Sequence, residues 1–155
     1  MPPSKTKARD RSRQEASEQL FMAAQRGDGA AVARLLAAGA DPDFSVARRH
    51  PSGDGEVIEA TALHVAAARD RLEAARLLLE AGADPSLAVG GVTPLMAAAG
   101  GGHPEVLRLL LARGAAVDAA DSNTGGTAFH CACCYNQAGC AEALARAGCD
   151  VGLNA

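Results

Sequence analysis

Hydrophobic positions along the chain come in short clusters punctuated by glycine, and the clusters recur. Thr61-Ala62-Leu63-His64-Val65-Ala66-Ala67 is followed by Leu77-Leu78-Leu79-Glu80-Ala81-Gly82-Ala83-Asp84. The same order returns as Thr93-Pro94-Leu95-Met96-Ala97-Ala98-Ala99, then Leu109-Leu110-Leu111-Ala112-Arg113-Gly114-Ala115. A further copy runs Thr127-Ala128-Phe129-His130-Cys131-Ala132-Cys133, then Ala143-Leu144-Ala145-Arg146-Ala147-Gly148-Cys149-Asp150. An earlier, degenerate copy lacks its threonine: Leu20-Phe21-Met22-Ala23-Ala24, then Leu35-Leu36-Ala37-Ala38-Gly39-Ala40-Asp41. The steps from Thr61 to Thr93 and from Thr93 to Thr127 are 32 and 34 residues. A fixed period of this size is the mark of a repeat architecture.

Each copy predicts two short helices. Threonine opens the first, and Pro94 directly behind Thr93 suits a first helical position, where no N–H is needed. A break follows at Gly27, Asp70, Gly102 or Asn136, all residue types that enter the left-handed region at low cost. The second helix stops at Gly39, Gly82, Gly114 or Gly148, the usual C-terminal glycine. Helices of about eight to ten residues do not persist alone in water. Each pair buries its apolar face only against the next pair, so the expected fold is an all-α stack.

Composition sharpens this picture. Aromatics make up 3% of the 155 residues, whereas alanine occurs 37 times. Such a core suits thin, closely apposed helices and not the ring- and β-branched-rich faces of a sandwich or barrel. No apolar run approaches the eighteen or so residues that span a bilayer, and the first fifteen residues lack the apolar stretch of a secretory signal.

Thr-Ala-Leu-His-Val-Ala-Ala, Thr-Pro-Leu-Met-Ala-Ala-Ala, the Gly102-His103 break and Leu-Leu-Leu-Glu-Ala-Gly-Ala-Asp resemble the ankyrin repeat. The resemblance covers residues 18–155 and implies an ankyrin-repeat solenoid of helix-turn-helix pairs with short finger loops. It also implies that His64 and His130, three residues after Thr61 and Thr127, hydrogen-bond to the threonine and to the neighbouring repeat. Functionally it implies protein binding without catalysis, and it brings no cofactor, metal or small-molecule substrate.

Departures from the repeat carry information of their own. The repeats fall at about 17–43, 59–88, 91–121 and 125–155, with an inserted loop at about 43–60. Gly39 to Thr61 is 22 residues, against 11 from Gly82 to Thr93 and 13 from Gly114 to Thr127. A long connection of this kind is either functional or mobile. Glu18 and Phe21 stand where threonine and histidine would, as in a capping repeat. Residues 1–15 carry five cations against two carboxylates, leaving the other 140 residues at −6 of a total of −3. Spaced basic residues among Pro and Ser predict a disordered tail over residues 1–16. The acidic body is a poor match for a nucleic-acid backbone.

All five cysteines lie in the last repeat: Cys131, Cys133, Cys134, Cys140 and Cys149. Cys131 and Cys134 form a C-x-x-C, but a zinc site needs four convergent ligands and no second pair is spaced to supply them. Cys133 and Cys149 stand where other repeats hold alanine, so they read as small buried apolar residues. The cluster fits a reducing compartment, cytoplasmic or nuclear. Gly100-Gly101-Gly102 has no Lys-Ser/Thr behind it and is not a phosphate loop.

In the ankyrin family partners lie along the concave surface of first helices and fingers. Carried over, this gives Gln25, Arg26, Arg69 and Tyr135 at the ends of first helices, and Val57, Ile58, Val89, Val92 and Asn123 at the fingers. Arg26 and Arg69 in one groove with Tyr135 would favour a partner segment with acidic residues at one end and an apolar anchor near the tyrosine. The final helix is rich in alanine where a terminal repeat wants a polar face, which suggests further repeats, a second domain or a symmetry mate beyond it. Two functional readings follow: a binding adaptor, or the targeting part of a larger protein whose C-terminal portion carries a catalytic or zinc-binding activity.

Overall fold

The computed structural model describes residues 5–49, 53, 55 and 57–148. The elements in order are α1 (Lys5–Arg26), α2 (Gly29–Ala37), β1 (Val46–Arg49), β2 (Val57–Ala60), α3 (Ala62–Ala68), α4 (Leu72–Glu80), α5 (Pro94–Gly101), α6 (Pro104–Ala112), α7 (Ala128–Cys134) and α8 (Ala138–Arg146). The helices form four antiparallel pairs: α1–α2, α3–α4, α5–α6 and α7–α8. First helices pack in one layer, α1 on α3 on α5 on α7, and second helices in another, α2 on α4 on α6 on α8. Among the described residues no helix is long and apolar enough to cross a membrane.

The core is a ribbon running the length of this double layer. Its bulk comes from Leu20, Leu63, Leu78, Leu95, Leu107, Leu110 and Leu144, all essentially without solvent exposure. Alanines fill the seams: Ala23, Ala24, Ala66, Ala67, Ala98 and Ala99 have no accessible surface. A larger side chain there would push neighbouring first helices apart, because close-packed interiors do not absorb added volume. Small residues on α3 and α5 therefore set the spacing of the stack.

Thr61, Thr93 and Thr127 are N-caps of α3, α5 and α7, each accepting a hydrogen bond from the backbone N–H three residues on. The breaks within pairs fall at Gly27, Asp70, Gly102 and Asn136, with φ of 74°, 58°, 76° and 57°.

Two features differ from the sequence expectation. Residues 5–16, expected as a disordered tail, continue α1 into a 22-residue helix. Glu18 replaces the capping threonine, so nothing stops the helix where the others begin. Ser17 lies buried inside it, donating to the Arg13 carbonyl (2.8 Å) and accepting from Asp41 N–H (2.9 Å). The inserted connection is not an irregular loop throughout. β1 and β2 pair antiparallel, Val46 opposite Ala60 and Arg49 opposite Val57, so the first finger is an extended hairpin.

Candidate functional site

The concave side is assembled from first helices and fingers, and the capping histidine ties the two together. In α3 the His64 Nδ1 lies 2.7 Å from Thr61 Oγ1, and its Nε2 is 2.8 Å from the Val92 carbonyl of the next finger. A carbonyl only accepts, so Nε2 carries the proton and Nδ1 accepts from the threonine hydroxyl. Burial holds this imidazole below the ordinary histidine pKa, opposed in part by the bond to Val92. In α7 Thr127 N–H donates to His130 Nδ1 (3.0 Å) in the same capping box. Thr93 has Met96 at that position and caps α5 through its hydroxyl alone.

The second finger turns through Gly90-Gly91, both at positive φ (61° and 88°). Val89 and Val92 exchange backbone hydrogen bonds of 2.9 and 3.1 Å across this turn. Two successive left-handed residues give the hairpin geometry that matches strand twist. The third finger closes with Asp121 N–H on the Gly126 carbonyl (2.8 Å), and Asn123 N–H donates to the Asp121 carboxylate (2.8 Å). Asn123 Nδ2 also reaches the Gly90 carbonyl (3.0 Å), linking the third finger to the second.

Between fingers and helices lie two adjoining depressions. The first, about 430 Å³, lies between the first and second fingers, over Phe21, Val65 and Ala97, with Val57, Val89 and Val92 on its walls. The second, about 360 Å³, is bounded by Val92, Met96, Ala97, Gly100, Cys131 and Tyr135. Val92 and Ala97 belong to both, so Val92 stands as a ridge between two apolar sockets. Tyr135 is 67% exposed and Val57 55%, a solvent-facing aromatic and aliphatic that the fold leaves uncovered.

The sequence-predicted residues thus separate into groups. Val57, Val89 and Val92 meet at the first socket, and Tyr135 joins Val92 at the second. Ile58 lies in β2, outside the residues whose side chains are described. Asn123 makes one hydrogen bond within the third finger and one to the second. Arg26 is not in this groove: it lines a separate depression of about 550 Å³ between α1 and α2, with Glu15, Glu18, Gln19 and Arg34. Arg69 is the exposed C-cap of α3 and lines neither socket. Gln25 is half-buried. Its carbonyl accepts from Arg71 Nε (3.2 Å), while its Oε1 is shut in without a hydrogen-bond partner among the described residues. The expectation of one groove holding both arginines and Tyr135 is corrected accordingly: Tyr135, the C-cap of α7, enters the second socket, whereas Arg69 at the same place in α3 stays in solvent and Arg26 lies on the α2 side of α1.

Sequence reasoning missed Phe21, Val65, Met96 and Ala97 as groove residues because they read as core. It also missed Arg48, whose guanidinium sits 5.1 Å from the centre of the Phe21 ring. Arg48 and Val46 of the first finger line the α1–α2 depression, while Val57, Glu59 and Ala60 of the same hairpin wall the first socket.

The cysteines differ in environment. Cys140 is buried, with its Sγ 3.8 Å from the Ala98 carbonyl; Cys131 is half-buried; Cys133 and Cys134 are exposed. Cys133 was expected to be buried like Ala67 and Ala99, but no described helix stacks on that side of α7. Burial raises the Cys131 and Cys140 thiols above their ordinary pKa, with a smaller contribution at Cys131 from Cys134. Cys149, His50 and residues 150–155 lie outside the described residues. No three His, Cys, Asp or Glu side chains gather as metal ligands among the described residues. The Thr61–His64 contact has the distance of a nucleophile–base pair, yet both groups are buried and the second imidazole nitrogen is bound to a backbone carbonyl. With both ring nitrogens engaged, the pair holds the helix start to the next finger.

A family model for ankyrin repeats (three copies) matches residues 6–89 and 86–155. A probable E3 ubiquitin-protein ligase of Oryza sativa subsp. japonica is 41% identical over 126 residues, covering 81% of this chain. The chain spans about a quarter of that relative, 26% of its length. The capped first helices, the left-handed breaks, the finger hairpins and these matches agree: the chain belongs to the ankyrin-repeat family, whose modules bind other proteins.

Proposed function

We propose that this chain is a non-enzymatic adaptor that receives a segment of a partner protein in its concave groove. What supports this reading is the pair of apolar sockets that share Val92, with Val57 and Tyr135 exposed at their edges. Uncovered aliphatic and aromatic side chains grouped on a concave face are the usual anchors of a protein interface. The earlier expectation of an acidic partner segment rested on Arg26 and Arg69 sharing that groove, and it loses its footing with their separation.

Val57→Asp combined with Tyr135→Ala tests the reading, since both side chains are exposed and the fold does not depend on them. Affinity capture from native cells with quantitative mass spectrometry should show a defined set of proteins lost by this variant. Circular dichroism should be unchanged. An identical captured set would remove the groove from consideration.

The rice relative supports a second reading, in which the module selects proteins for a larger ubiquitin ligase. In that case the full-length protein should ubiquitinate the groove-dependent partners, and the double variant should not.

A further inference from the structure

From the charges around the two sockets we infer that the groove selects a short peptide segment carrying two apolar side chains about 10 Å apart and at least one basic residue beside them. This rests on the groove being the binding face. Each socket is apolar in its walls and has one charged residue at its edge. At the first it is Glu59, exposed on β2; at the second it is Asp121, half-buried at the base of the third finger. Both are carboxylates. The imidazole in the first socket, His64, is buried with both ring nitrogens engaged by Thr61 and the Val92 carbonyl, and burial lowers its pKa, so it offers Glu59 no free cation.

Of the two arginines on the first finger, Arg49 pairs across the hairpin with Val57 but is exposed and lines neither socket, and Arg48 is turned away. Its guanidinium lies over the Phe21 ring and lines the depression on the other side of the hairpin. Glu59 has no ion-pair partner among the described residues. Asp121 uses Oδ1 to accept from Asn123 N–H, which leaves its other oxygen for a ligand. A carboxylate at the edge of an apolar cavity is favoured by a bound cation and disfavoured by a bound anion, so the groove selects by repulsion as well as attraction. The rest of the molecule reinforces the sign, with a net charge of −6 outside residues 1–15.

The sockets are built on successive first helices, and packed helices lie about 8–10 Å apart. Side chains that enter both must be separated by about that distance. Three residues of a polyproline-type strand cover about 9 Å and return to the same face. Seven residues of a helix cover about 10.5 Å and do the same. The spacing of the two apolar positions therefore reports the backbone form of the bound segment.

Selection of a phage-displayed random dodecapeptide library against the full chain tests this. The enriched sequences should carry two aliphatic or aromatic positions three or seven apart, with Lys or Arg next to one of them. A synthetic peptide of that sequence should perturb the methyl resonances of Val57, Val89, Val92 and Met96. Glu59→Lys should weaken it at least tenfold, and Asp121→Asn, which keeps the acceptor for Asn123 N–H, about threefold. Added salt should weaken the wild-type complex and leave the Glu59→Lys complex nearly unaffected. Groove-bound peptides that are acidic, or indifferent to Glu59→Lys, overturn the inference while leaving the groove as the binding face. Peptides that perturb only residues outside the groove, or no enrichment at all, overturn both.

Discussion

His64 joins two repeats through its two ring nitrogens, and that role fixes its charge. Protonating Nδ1 would set a proton against the Thr61 N–H and hydroxyl that now point at it. Burial adds to the penalty and the folded-state pKa is lowered. In the unfolded chain the same imidazole takes up a proton near pH 6.5. The unfolded state therefore binds more protons as the pH drops below about 6.5, and stability falls with it until the folded group protonates too. Urea midpoints should decline between about pH 7.5 and pH 5.5, more steeply in the wild type than in His64→Gln, whose overall stability is lower. Ser17 offers a second test at this scale. Ser17→Ala leaves the Asp41 N–H without its acceptor, and a loss of about 1–3 kcal/mol in urea unfolding is expected. The role of His64 was legible in the sequence because Thr-x-x-His acts within one helical turn. That of Ser17 was not, because its partner lies 24 residues away.

At the scale of the element, the contrast is between α1 and the three later first helices. α3, α5 and α7 start at a threonine and run seven or eight residues. α1 has no such stop, and runs through the basic stretch as a helix of 22. Substituting Glu18 predicts a helix lacking a cap, but whether the residues before it join the helix depends on packing against Asp41, which periodicity does not reveal. The first finger teaches the same lesson. Val46, Val57 and Ile58 are β-branched, yet only pairing across the inserted residues makes strands of them. The lining of the sockets was half legible: Val57, Val89, Val92 and Tyr135 follow from the repeat register, whereas the placing of the arginines depends on the direction their side chains take from the helix ends, which the register does not give. The last first helix, α7, has one side with no described helix against it, and its thiols should report that. Iodoacetamide labelling of the native protein at neutral pH should modify Cys133 and Cys134 first and Cys131 more slowly. Cys140 should react only on unfolding, because burial both blocks access and raises its pKa. Peptide mapping by mass spectrometry reads all four.

For the whole molecule the governing fact is that the main helix contacts are within pairs or between neighbouring pairs. Stability in such a stack is a sum of repeats and their interfaces. Leu107 in α6 is fully buried in the third pair. Leu107→Ala should cost about 2–5 kcal/mol. Hydrogen exchange should rise most in α5 and α6, next in their stacked neighbours α3, α4, α7 and α8, and least in α1. A uniform rise along the chain would instead mean a single shared interior. The stacking was legible from the repeat period, since pairs this short have no interior of their own.

The first finger borders two hollows at once. One strand of the hairpin faces the apolar sockets and the other faces the hollow beside α1, with Arg48 resting on the ring of Phe21 between them. A molecule lodged on either side leans on a shared partition. If it shifts that partition, it changes the affinity of the opposite side, and the second occupant returns the same free energy to the first.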